Sequence, residues 1–302
     1  MVVRAYKDIK IQPARRALIQ KCNEIVKDYT GQGLRLTLRQ LYYQLVSRNI
    51  IPNVERSYKN LSNTVTDARL AGLMDWSAIE DRGRVAQKPS EWDDLGDLVQ
   101  SAIHGYRLPR WKGQEYYVEL WVEKQALAGV LEPLSDEFHA TLMVNKGYSS
   151  ASAMYESAQR FRRNLAQQEG CQTALLLYLG DHDPSGEDMV RDVRERLEMF
   201  GVHSLEVRKI ALTMDQIREH DPPPNPAKVS DPRAEAYIAE HGESSWEVDA
   251  LPPDVLQALI REAFEEVVDR ELMDAIIAEE DRDKVELTKA AENIMKRRKK
   301  GK

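Results

Sequence analysis

The chain has 302 residues, 42% hydrophobic and 31% charged, which is enough to bury two ordinary cores and is unlike a disordered polymer. No apolar run reaches the ~20 residues of a membrane helix, the start MVVRAYKDIK lacks a signal-peptide core, and two cysteines without a C-x-x-C argue for reduced thiols in the cytoplasm and against a zinc site. The net charge of −7 speaks against nucleic acid until it is mapped: residues 1–90 carry +8, residues 284–302 carry +6, and the stretch between carries −21.

The first expected element is a helix over 12–29, with Pro13 near its start and Ala14, Ala17, Leu18, Ile25 and Val26 on one face. A second helix opens at TLRQ, a capping-box match with Thr37 as N-cap and Gln40 three residues on, and runs to about Asn49. Its apolar stripe is Leu38, Leu41, Tyr42, Leu45 and Val46. At 100° per residue, Tyr42 falls inside the stripe and Tyr43 outside it, on the flank that carries Arg39 one turn earlier. A third helix over 54–73 turns Tyr58, Leu61, Val65 and Ala68 inward and Arg56, Lys59, Asn60, Asn63 and Thr66 outward. The short connection IIPNV suits a helix-turn-helix, with a wing expected through Trp76 to Arg84. The outward face is what a recognition helix offers to phosphates and base edges, and equally what a solvated helix shows; the positive charge of residues 1–90 favours DNA.

Residues 91–115 read as a linker with one short helix, and Arg107, Arg110 and Lys112 add a weak nucleic-acid signal. From Tyr116 to Leu251 apolar runs alternate with helical patterns. Strands are expected at 116–123, 140–145, 173–180, 204–212 and 246–251, and helices at 124–138, 150–168 and 187–200, which makes a largely parallel, doubly wound α/β sheet. Within it LLLYLGDHDPSG, residues 175–186, is a buried strand that stops at Gly180 and presents Asp181 and Asp183 at its carboxyl end, the edge where open α/β sheets bind ligands. Crowded carboxylates there call for a hard divalent cation; a solvated Asp-rich turn is the alternative. An earlier strand ends at Glu123, followed by Lys124. Lys146 in KGYSS follows a strand and precedes a helix, which suits a phosphate contact; Lys228 lies in the proline-rich loop 221–232 and is a weaker one. Glu247 or Asp249 in WEVDAL would extend the acidic cluster. Residues 252–302 are expected to be a helical extension with a basic tail, KRRKKGK, that reads equally as a solvated end.

Taken in order, VEKQAL, NKGYSSAS and LGDHDPSG resemble the Toprim domain of type IIB topoisomerase A subunits, the family that includes the meiotic double-strand-break transesterase. TLRQLYY resembles that family's active-site helix, an Arg followed four residues later by the nucleophilic Tyr. The resemblance covers roughly residues 35–250 and is closest to a stand-alone "mini-A" form. It implies a winged-helix domain over 1–90 and a Toprim domain over 116–251. It also implies Mg²⁺ held by Glu123, Asp181 and Asp183, and cleavage of double-stranded DNA by Tyr43 with Arg39 steadying the phosphate, leaving a 5′-phosphotyrosyl link. Family members are homodimers that combine the Tyr of one chain with the metal of the other, and their ATPase is a separate B subunit. This chain has no GxxxxGK[ST], so strand passage would need such a partner. A Toprim nuclease that hydrolyses DNA with metal-activated water, and a non-catalytic DNA-binding module, remain alternatives. A cytoplasmic, nucleoid-associated place and no membrane contact follow from the same reading.

Overall fold

The computed structural model describes residues 5–80, 89–145, 149–227, 229 and 231–300, with Glu80 and 293–300 described by their backbone alone. Lys146 and Lys228, two of the expected phosphate contacts, fall outside the described residues. No helix among the described residues is long and apolar enough to cross a membrane.

The N-terminal unit is built from three helices. Helix α1, Pro13–Gly31, buries Ile19, Cys22, Ile25, Val26 and Tyr29. Ala14 and Ala17 are exposed, contrary to the sequence reading, because the buried stripe turns onto bulkier side chains that remove more apolar surface from water. A short strand β1, Leu36–Thr37, leads into α2, Leu38–Ser47. The capping box forms as expected: Gln40 N donates to Thr37 Oγ1 at 3.3 Å and Thr37 N donates to Gln40 Oε1 at 2.8 Å. Helix α3, Glu55–Leu70, buries Leu61, Val65 and Ala68 and leaves Arg56, Lys59, Asn60 and Asn63 exposed. Tyr58 is half-buried, edge-on against Tyr42. Where a wing was expected, Trp76–Ala78 is a 3-10 turn and β2, Ile79–Glu80, pairs parallel with β1; residues 81–88 lie outside the described set.

Helix α4, Leu95–Gly105, is the short helix expected between the units. The larger unit then forms a parallel sheet from β3 (Tyr116–Val122), β4 (Thr141–Val144), β5 (Thr173–Leu179) and β6 (Leu205–Ala211), in the order β4-β3-β5-β6. Between them run α5 (Ala128–Phe138), α6 (Ala151–Gln167) and α7 (Pro184–Met199). Alternation along the strands divides the core. Val118, Leu120, Val122, Leu175, Leu177 and Leu179 pack with α5 on one face, while Trp121, Ala174, Leu176 and Tyr178 pack with α6 and α7 on the other. A sheet buried on both faces accounts for the near-continuous apolar run of β5.

Two short helices follow, α8 (Met214–His220) and α9 (Ala234–His241), flanking the proline-rich loop. Among the described residues of that loop, β7, Asn225–Pro226, is the regular stretch, paired antiparallel with β8, Ser244–Ser245. The strand expected over 246–251 does not form. Trp246 makes a single bridge to His182, and Val248–Ala250 is a 3-10 turn stopped by Pro252 and Pro253. Helix α10, Pro253–Glu265, covers α5, with Phe264 stacked on Phe138 at 4.4 Å. Helix α11, Arg270–Lys300, lies against α4. Its buried Glu280 accepts from Leu108 N at 2.9 Å and pairs with Arg110 at 3.4 Å and Arg107 at 3.7 Å, so two of the basic residues suspected of touching nucleic acid are tied within the chain.

Candidate functional site

The register of the sheet sets the geometry. Residue for residue, Tyr116–Val122 pairs with Thr173–Leu179, so β3 and β5 end side by side. This is also where the strand order reverses, since the chain leaves β3 towards β4 on one side and returns to β5 on the other. Ligand crevices of doubly wound sheets open at that point. Glu123 and Asp181 are the residues just past the two strand ends, and Asp181 N donates to Glu123 Oε2 at 3.3 Å.

The turn after β5 is tightly built. A side chain at Gly186 would run into the carbonyl of Asp181, so only glycine lets the first turn of α7 close under the site. Asp183 Oδ1 caps that helix, accepting from Gly186 N at 2.7 Å and Ser185 Oγ at 2.8 Å. Asp183 is therefore engaged by α7, whereas Asp181 Oδ1 looks the other way and accepts from Val248 N at 2.9 Å.

That last bond pulls the 247–249 segment over the sheet edge and brings two further acids with it. Lys124 Nζ lies 2.9 Å from Asp181, 2.9 Å from Glu247 and 2.8 Å from Asp249. Arg39, reaching across from α2, pairs with Glu247 and stands 3.2 Å from Asp249. Four carboxylates (Glu123, Asp181, Glu247 and Asp249) thus face two cations. The sequence points to Glu247 or Asp249 as additions but not to a role for Lys124, whose position directly after Glu123 is the available signal.

The electrostatics follow from this crowding. Burial, with the charges of Glu123 and Asp249, pushes the Asp181 carboxyl up to about 7 despite Lys124. Burial acts upward on Glu247 as well, but Lys124 and Arg39 overcome it and hold that carboxyl at about 2. The same ammonium has opposite outcomes on its neighbours because Asp181 sits deeper and beside more negative charge. Among the described residues no group of three acidic, histidine or cysteine side chains is arranged as a ligand set around a metal. The donors are all hard oxygens, the kind that Mg²⁺ takes, and the Lys124 ammonium stands among three of them.

Tyr43 joins this cluster, but not on an open flank. It is 4% exposed, covered by the sheet unit, and α2 packs on the Val248–Ala250 turn. Its hydroxyl lies among Arg39, Glu247 and Asn225, and the Arg39 guanidinium is 6.0 Å from its ring centre. Burial, then Glu247 and Asp249, raise its pKa above the ordinary phenol value, with Arg39 opposing. The helical wheel puts Tyr43 beside Arg39 on an open flank; here that flank is closed, and Tyr42 and Tyr43 are both buried in one core cluster. Tyr42 is buried within its own unit and donates to Asn53 Oδ1 at 2.9 Å. Asn53 in turn donates to Pro224 O at 2.8 Å, a second tie between the units. Arg56, Lys59, Asn60 and Asn63 lie on the exposed face of α3, with Lys59 paired to Glu55 at 2.7 Å.

The fold and the site together define a parallel α/β protein with an acid cluster at the reversal of its strand order, and a helical unit that delivers an Arg–Tyr pair to that cluster. The chain matches no protein-family model and no curated protein.

Proposed function

We propose that this chain is a Mg²⁺-dependent DNA-cleaving protein of the type IIB topoisomerase A kind, a winged-helix unit joined to a Toprim unit, that breaks DNA by tyrosine transesterification. The observation that carries the reading is convergence. Tyr43 and Arg39 lie far from Glu123, Asp181, Glu247 and Asp249 in the sequence, yet all six meet at one sheet edge.

In this reading the Tyr43 oxygen bonds to a backbone phosphorus and the bond from phosphorus to the 3′ oxygen breaks. The 3′ oxygen leaves and takes a proton from water, and the 5′ phosphate stays on the tyrosine. Glu247, beside the Tyr43 hydroxyl, orients it, the phenolic proton leaves to water, and Arg39 offers a two-pronged guanidinium to the phosphate. Glu123 and Asp181, with Asp183 if it leaves its cap, would hold a cation that offsets charge on the phosphate during in-line displacement. The exposed basic and amide face of α3 would lie along the duplex. A homodimer that exchanges tyrosines would have to part Arg39 from Glu247 and Asn53 from Pro224 before Tyr43 could reach the other chain. A separate ATPase subunit would be the partner for strand passage.

The burial of Tyr43 favours a second reading, a Toprim nuclease that hydrolyses DNA with metal-activated water and uses Tyr43 only to hold its units together. Supercoiled plasmid incubated with the protein and Mg²⁺, quenched with detergent and run with and without protease, separates the two. Linear DNA that enters the gel only after protease supports transesterification. Cleaved DNA free of protein supports hydrolysis, and intact plasmid in both lanes contradicts both.

A further inference from the structure

The cluster at the strand ends holds its own cation, and the way it is held bears on how a metal could enter. Lys124 is the first residue after Glu123. Its backbone is extended, between the end of β3 and a 3-10 turn at Gln125–Leu127. From there its flexible four-carbon arm reaches three carboxylates at once, each at 2.8–2.9 Å. One ammonium faces three carboxylates there, so the negative charge exceeds the positive. The compensation is incomplete. Asp249 is fully buried, and its Oδ2 accepts no hydrogen bond, with Arg39 Nε at 3.2 Å its charged neighbour. Asp181 stands between Lys124, at 2.9 Å, and Glu123, whose Oε2 accepts from Asp181 N at 3.3 Å.

Resting on the metal reading of this site, we propose that Lys124 is a displaceable internal counterion: its ammonium fills the acid cluster when no divalent cation is bound and leaves when one enters, so Lys124 sets the cation concentration at which the site loads. A divalent ion and an ammonium cannot share Asp181 without strong repulsion in so buried a place. One must yield, and Lys124 is the one on a flexible stem. Arg39 cannot substitute, because it is anchored on the other unit and, among the cluster's described acids, pairs with Glu247 and Asp249 rather than with Asp181. Competition of this kind is reciprocal: whatever favours the ammonium in the cluster weakens the metal by the same factor.

The test uses the full chain and Mg²⁺ alone, without DNA. Calorimetric titration with MgCl₂ at constant ionic strength compares the parent with Lys124→Met, which keeps length and loses charge, and with Lys124→Arg. The expected result is Mg²⁺ binding tighter by roughly tenfold or more in Lys124→Met and little changed in Lys124→Arg. Lys124→Met should also melt lower in chelator and recover in Mg²⁺. Equal affinities in the parent and Lys124→Met would overturn the counterion role and leave the metal reading standing. Absence of Mg²⁺ binding in both overturns the metal reading with it. If Lys124→Met does not fold, the parent protein decides. Its lysines are acetylated briefly with or without saturating Mg²⁺ and mapped by mass spectrometry. Several-fold faster modification of Lys124 in Mg²⁺ supports displacement, and an unchanged rate contradicts it.

Discussion

Two buried carboxylates on neighbouring strands, Glu119 and Asp181, show opposite ways of surviving inside a protein. Glu119 lies in the middle of β3 and is 0% exposed. Its Oε1 accepts from Tyr117 Oη at 2.7 Å and Arg160 Nε at 2.6 Å, and its Oε2 from Trp121 Nε1 at 2.7 Å and Arg160 Nη2 at 2.8 Å. Every strong lone pair is met and its charge has a fork-on-fork partner. Asp181, two residues past the end of β5, is buried nearly as well but shares one ammonium with two other acids, and its proton affinity is raised. A satisfied buried charge holds the fold together. An undercompensated one at a strand end keeps a raised proton affinity, and under the proposed function it is where a cation would bind.

Four experiments would break or sharpen that contrast. The largest effect is expected at the strand ends. Asp181→Asn keeps an acceptor for Val248 N and removes the charge. It should reduce Mg²⁺-dependent DNA cleavage by about 100-fold or more while the melting temperature in chelator stays near the parent value. In the same plasmid assay Tyr43→Phe should abolish the protease-sensitive adduct and Tyr42→Phe should not. An adduct retained by Tyr43→Phe removes Tyr43 as nucleophile.

Glu119→Ala should do the reverse and unfold rather than inactivate. Leaving Arg160 without its partner costs about 3 kcal/mol, at the lower end for a broken buried pair because Arg160 is partly exposed. Chemical denaturation measures it; a loss below about 1 kcal/mol would mean that the pair is replaceable by water.

A smaller effect is expected on DNA affinity. The log–log salt dependence of binding by the full chain should have a slope near −4 to −5 if about five phosphates are neutralised, and Arg56→Ala should lower its magnitude by about 1. A flat dependence would remove the α3 face from the interface.

The smallest effect is on pH. His139 ends α5 in the left-handed region, at φ 52°, and burial together with Arg110 and Arg107 lowers its pKa below the ordinary 6.5. Its neutral form is therefore the one the fold prefers. The stability it contributes is full above pH 6.5 and is lost as pH falls below that value, because the unfolded chain takes up the proton first. His139→Asn suits the backbone and carries no titrating group, so its melting temperature should fall less than the parent's between pH 7 and pH 5. Parallel pH profiles would show that His139 contributes nothing.

Much of this was legible in the chain itself. Periodicity, caps and turn residues determined α1 to α3, the four strands and the Pro13, Thr37 and Gly186 punctuation, because local patterns carry local physics. The acids at 123, 181 and 183 stood out for the same reason, each just past an apolar run. What only the tertiary structure decided concerns residues whose partners are remote. The 246–251 segment has an apolar, strand-like pattern but turns instead, held by Val248 N on Asp181 and closed by two prolines. Tyr43 leaves its helix on an apparently free flank and is buried by the other unit, which no helical wheel can represent. Lys124 gains three carboxylates from strand ends and a turn over a hundred residues apart in part. Sequence periodicity reports which face of an element is apolar; which element covers that face, and which charges then meet, depends on the register of the sheet and the packing of the two units.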